Sequence, residues 1–142
     1  DGVAYLDAIG FGTTATTLPS ADGSADQVLT TDGSGTLSFV DNTGGTSWVA
    51  VKTSNYTASA GEGVFANTSG GAWTLTLPAS PSLGDEVSFV DYAGTFDTNN
   101  LTIGRNSSKI HGADEDLTVS VERAANTLVF TDGTQGWLLK SK

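Results

Sequence analysis

The chain has 142 residues, enough for one ordinary domain, with 37% hydrophobic residues, only 15% charged residues and 18 glycines. That mixture, rich in Thr, Ser, Asn and Val, excludes helical bundles and α/β folds, which draw on Ala, Leu, Glu and Lys, and equally the highly charged make-up of a disordered chain. A net charge of -10 with no Lys/Arg cluster argues against nucleic acid and anionic lipid as partners, and zero Cys removes disulfides, thiolate metal sites and Cys nucleophiles.

Residues 1–47 are lean. Their sizeable apolar side chains are Val3, Tyr5, Leu6, Ile9, Phe11, Leu18, Val28, Leu29, Leu37, Phe39 and Val40, set among turn-forming stretches such as "DNTGGTS". Residues 28–41, "VLTTDGSGTLSFVD", read as two strands folded about Asp32-Gly33, the dipeptide that suits a tight hairpin. Such a segment cannot enclose a core alone, yet it alternates as a linker has no reason to. It is therefore expected to share its core with other copies of the chain as a slender β-hairpin shaft, with Leu37 and Phe39 pointing inward.

From Trp48 onward the pattern becomes dense. Residues 48–53, 72–78, 86–92, 101–104, 116–122, 127–131 and 136–140 are strand candidates separated by Gly, Asn, Asp or Pro signals. Trp73/Leu75/Leu77, Val87/Phe89, Leu101/Ile103, Leu117/Val119/Val121 and Leu128/Phe130 each keep one parity, so each strand has one apolar face. The expectation is all-β: a compact antiparallel β-sandwich or barrel-like domain over residues 48–142. "VFANTSGGAWTLTL" (64–77) and "LVFTDGTQGWLL" (128–139) look like further hairpins of the same kind. No helical period is visible. No run of about 18 apolar residues predicts membrane insertion. The absence of Met and of a signal peptide predicts a processed chain or a piece of a longer one.

Two stretches resemble a known group of proteins. "LPSADGSADQVLTTDGSGTLSFV" (18–40) is similar to a short motif of bacteriophage tail-fibre and receptor-binding proteins, Leu-Pro-Ser-x-Asp-Gly followed by Gln-Val-Leu-x-Thr-Asp-Gly-x-Gly-x-Leu. Residues 56–103 resemble a module of tailed-phage fibres, with Tyr-Thr-Ala, a Thr-Ser-Gly-Gly turn, a Thr-Leu-Pro strand, Gly-Asp-x-Val and Asn-Asn-Leu-Thr-Ile. The resemblance implies an intertwined, β-rich homotrimer in the virion tail, extracellular, joined to other tail proteins and meeting the bacterial surface. It carries over no site residues. Bacterial surface adhesins share fibre repeats of this kind.

The chemistry-bearing residues are sparse. Asp114, Glu115 and Asp116 form the densest acidic cluster but lack the ligand spacing of a calcium loop, and a solvated turn accounts for them. Asp85, Glu86, Asp91, Asp97 and Glu122 add carboxylates, yet nothing in the order of residues makes two of them face each other across a cleft as glycosidase chemistry requires. His111 is the single histidine, with no Gly-x-Ser-x-Gly elbow to serve; in a trimer it would either meet its mates on an axis or sit as a loop residue. Asn-x-Ser/Thr sequons at Asn55, Asn67, Asn100 and Asn106 matter only in a eukaryotic secreted protein. Trp48, Trp73, Trp137, Tyr56 and Tyr92 are the aromatic side chains to weigh as sugar platforms, and the parity of Trp73 and the turn before Trp137 assign those two to packing. Tyr92 and Phe96 flank the longest polar connection and are expected to be exposed; with Asn99 and Asn100 they make the candidate ligand site. No catalytic residue, metal or cofactor is expected. The function expected is structural and adhesive, with a bacterial surface glycan or lipopolysaccharide as ligand. The alternatives are a pure shaft or connector, and a polysaccharide hydrolase.

Overall fold

A computed structural model describes residues 8–11, 14–42 and 44–140, and among them there is no helix. The chain divides into two units, Asp1–Gly44 and Gly45–Lys142, against an expected boundary after residue 47.

In the first unit β1 (Ala8–Phe11) pairs antiparallel with β2 (Thr14–Thr17), and β3 (Gln27–Thr31) with β4 (Leu37–Asp41). Val3, Tyr5 and Leu6 lie outside the described residues. The β3–β4 register sets Val28 opposite Val40 on one face, and Leu29 opposite Phe39 and Thr31 opposite Leu37 on the other. Apolar groups thus stand on both faces. Phe39 lies so close over Gly23 that a Cβ there would fall 2.7 Å from its ring, which gives that face a partial cover. Val28, Leu29 and Val40 stay 40–49% exposed. The turn is five residues long, not two. Asp32 Oδ1 accepts the backbone N–H groups of Ser34 (2.7 Å) and Thr36 (3.0 Å), and Gly33 takes the φ of 76° that the turn demands.

The second unit runs β5 (Ser47–Lys52), β6 (Tyr56–Thr57), β7 (Glu62–Ala66), β8 (Trp73–Thr76), β9 (Glu86–Asp91), β10 (Leu101–Gly104), β11 (Leu117–Val119), β12 (Ala125–Phe130) and β13 (Trp137–Leu139). They form two open sheets, one ordered β13-β12-β9-β7-β5 and the other β11-β10-β8-β6. From β5 to β10 the chain alternates between the sheets strand by strand. Consecutive strands within one sheet are therefore parallel: β5 with β7, β7 with β9, β6 with β8, β8 with β10. Parallel neighbours need a crossover, and here a strand of the opposite sheet supplies what a helix supplies in α/β folds. The antiparallel expectation holds only for β9–β12, β12–β13 and β10–β11. Neither sheet closes into a barrel.

One core joins the sheets. Trp73, Leu75, Leu77, Leu101 and Ile103 meet Val64, Val87, Phe89, Leu128 and Trp137 in a single buried cluster. Each fully buried side chain of this size contributes about 1.5–3 kcal/mol by leaving water. The register aligns Trp73 with Leu101 and Leu75 with Ile103, so the alternation becomes two apolar rows. Its complement, Thr57, Thr74, Thr76, Thr102 and Thr118, forms the outer face of that sheet.

Three local expectations are corrected. Residues 64–77 are not a hairpin, because β7 and β8 belong to different sheets. Val121 is 66% exposed despite its parity with Leu117 and Val119, since β11 stops at Val119 and a turn closed by Ala124 N–H on Val121 O follows. The C-terminal repeat is a hairpin, with Leu128 opposite Leu139 and Phe130 opposite Trp137, but its left-handed glycine is Gly136 (φ 70°), not Gly133. There Asp132 Oδ1 accepts the N–H groups of Thr134 and Gln135, as Asp32 does in its own turn.

Candidate functional site

The expected ligand loop begins where β9 ends. Asp91 points inward and is 2% exposed. Its Oδ1 accepts the backbone N–H groups of Gly94 (2.9 Å) and Thr95 (3.2 Å), and its Oδ2 those of Phe96 (3.2 Å) and Arg123 (3.0 Å). Burial acts to raise this carboxyl's pKa, but the four donors outweigh it and hold it below the ordinary 3.8. The folded-back loop swings Phe96 under itself and into the core, 0% exposed, with its ring centroid 6.4 Å from that of Phe89. This corrects the expectation that Phe96 is exposed. A polar-looking connection hides an anchor because loop burial follows no period.

The other expected residues stay outside the core. Tyr92 is 54% exposed, with its carbonyl accepting from Arg123 Nη1 at 3.2 Å. Asn99 and Asn100 are half-buried. Tyr92 and Phe96 therefore do not share a ligand-facing surface.

Most other candidates have structural partners. His111 is exposed, and its Nε2 accepts the Leu139 N–H at 3.2 Å. Asp116 Oδ1 accepts the Arg105 N–H at 2.9 Å, and Asp114 pairs with the Arg105 guanidinium at 3.3 Å. Tyr56 donates its hydroxyl to Glu62 Oε2 at 3.0 Å under the Lys52 ammonium, 4.3 Å from the ring centroid. Burial, with the Glu62 carboxylate beside it, pushes its phenol above the ordinary 10.0. Trp73 Nε1 donates to Asn67 O at 3.0 Å. Among the described residues no three His, Cys, Asp or Glu side chains gather as a metal site would require.

Trp48, weighed from sequence as a sugar platform but left out of the candidate site, stands on the outer face of the five-stranded sheet. In β5, Val49 turns toward the core and Trp48 away from it, 46% exposed. The indole lies across Gly63, its register partner on β7. A Cβ on Gly63 would come within 2.6 Å of Trp48 Cδ2 and Cε3, so the flat arrangement depends on glycine there. The ring then stacks on Phe65, with centroids 4.6 Å apart and planes 24° from parallel. Beside it runs a groove of about 300 Å³ whose lining includes Thr46, Trp48, Ser88, Val90, Ala125 and Thr127. Ser88 and Thr127, cross-strand partners, share a 2.8 Å hydroxyl–hydroxyl hydrogen bond. The alternation of "SWVAVK" held the signal: once Val49 is in the core, Trp48 must face out. An aromatic face next to hydroxyls offers apolar contact and hydrogen bonding at one place.

No protein-family model matches the chain, and no curated protein sequence matches it.

Proposed function

We propose that this chain is a structural and attachment module of a bacteriophage tail fibre or spike, extracellular on the virion, assembled as a homotrimer and adhering to the bacterial surface. The observation that supports it most is the β3–β4 hairpin. A two-stranded sheet is marginal by itself in water, yet this one keeps the Val28–Val40 pair and Leu29 at 40–49% exposure. Three copies around an axis cover such faces mutually and form a closed assembly. The motif resemblance of residues 18–40 and 56–103 to phage fibres points the same way. The module acts by holding a surface, not by catalysis: Asp91, Asp114, Asp116 and Glu86 already serve as hydrogen-bond or ion-pair partners within the fold.

Two measurements test this together. Light scattering on the full chain should give three times the chain mass, and the labelled protein should decorate susceptible bacteria without releasing new reducing ends from their polysaccharide. A stable monomer, or sugar release abolished by one carboxylate substitution, refutes it.

A further inference from the structure

We infer that the outer face of the five-stranded sheet at Trp48 is a binding site for a neutral glycan. The inference rests on the attachment reading for its biological setting, but its geometry stands alone.

The floor is aromatic and flat. An exposed indole fixed over Gly63 and backed by Phe65 offers one rigid face, which matches the C–H face of a pyranose ring and loses little entropy on contact. Val90, the register partner of Phe65, extends the apolar strip. The wall is made of hydroxyls. In the Ser88–Thr127 pair one hydroxyl donates to the other, so the accepting hydroxyl keeps its own proton for a ligand oxygen. Thr46 closes the near side of the groove.

Charge selects the ligand class. No Lys, Arg, Asp or Glu lines the groove. Glu86, two residues before Ser88 on the same face, is matched by Lys140 at 2.7 Å. Uronates, sialates and phosphates find no cation here and meet a chain of net charge -10. A neutral hexose polymer meets neither cost.

Size selects against a protein partner. The groove's 300 Å³ sits at the lower end of the roughly 300–1,000 Å³ of small-molecule sites. A stable protein interface needs about 800 Å² from each side, far beyond one indole and a pair of hydroxyls.

The test is a glycan array carrying neutral hexose, deoxyhexose and N-acetylhexosamine oligomers beside uronate- and sialate-bearing ones, probed with the full chain. Hits are followed by affinity electrophoresis in the matching polysaccharide. Retention by neutral glycans is expected, weakened about tenfold or more in Trp48→Ala, where the platform is lost. Trp48→Phe keeps a ring and should stay within about threefold of the parent. Gly63→Ala, which tips the indole off the sheet, should behave like Trp48→Ala with unchanged far-ultraviolet circular dichroism. No neutral hit, a preference for acidic glycans, or equal retention by folded Trp48→Ala overturns the site. Cell binding separates the two proposals. If Trp48→Ala still decorates bacteria fully, the site fails and attachment stands. If the parent decorates no bacterium yet needs Trp48 for a neutral glycan, attachment fails and the site stands.

Discussion

Asp91 and Arg123 lie 32 residues apart, yet the backbone N–H of Arg123 donates to Asp91 Oδ2 at 3.0 Å while its guanidinium reaches back to the Tyr92 carbonyl at 3.2 Å. One carboxylate thus fixes both the loop after β9 and the turn before β12. Asp91→Ala leaves four backbone donors without this acceptor, each costing about 1–3 kcal/mol where water cannot reach it. With partial rehydration we expect a loss of about 3 kcal/mol in urea unfolding. A loss under about 1 kcal/mol contradicts this role.

The same carboxylate makes the second unit sensitive to acid. Its folded pKa is depressed below the ordinary 3.8, so its stabilisation is complete above that value and drains away as pH falls through the folded pKa. Thermal melts between neutrality and strong acid should show a drop that begins below about pH 4. In Asp91→Asn that part of the drop should be missing; an unchanged acid profile rules out Asp91 as its source.

Gly136 tolerates no side chain. It holds φ 70°, and a Cβ there would collide with the carbonyl oxygen and carbon of Lys109. Those atoms are fixed, because Trp137 N–H donates to Lys109 O at 2.8 Å and His111 N–H to Trp137 O at 2.9 Å. Gly136→Ala should therefore cost more than the roughly 1 kcal/mol of a left-handed alanine, about 3 kcal/mol in all. Gly133→Ala, with nothing within 4 Å and no positive φ, should be nearly neutral by the same denaturation assay.

The hairpin register sharpens the assembly prediction. With Leu37 and Phe39 expected to point inward, Leu37→Asp is expected from sequence to disrupt assembly far more than Ser38→Asp. In the structure Ser38 shares the face of Val28 and Val40, so both substitutions should lower the mass seen by light scattering, and Val40→Asp should do so most. Ser34→Asp, at the exposed turn tip, is the control expected to leave the mass unchanged. A trimer that survives Val40→Asp does not use this face.

Strands were legible where one face is wet and the run is long enough to alternate, which the two-residue β6 is not. Trp73, Leu75 and Leu77 alternate with Thr74 and Thr76 because the sheet has water on one side only, and period two follows. β7 was read only as one arm of a hairpin over 64–77, and gave no alternation of its own, because Val64, Phe65 and Ala66 are consecutive apolar residues, covered on one face by the core and on the other by Trp48. Strand direction left no trace, since alternation reads the same beside a parallel or an antiparallel neighbour. The site was misplaced for a related reason. Phe96 is buried by the hydrogen bonds of Asp91, which no pattern of apolar residues records, and Trp48 is exposed by a glycine on another strand.

The strand-by-strand alternation between sheets has a kinetic consequence. In the second unit only β12 and β13 are joined as a short hairpin; β7 must find β9 across a strand that belongs to the opposite layer, and β9 must wait for β12. Contacts this distant along the chain close slowly. During synthesis the four-stranded layer lacks its full set of strands until β11 has emerged and the five-stranded layer until β13 has, so the nascent segment is open to wrong pairings for most of its elongation. Once the last hairpin arrives, both layers close on one core together. Unfolding should meet the same interdependence in reverse, with no strand from β5 to β10 released while its layer remains intact.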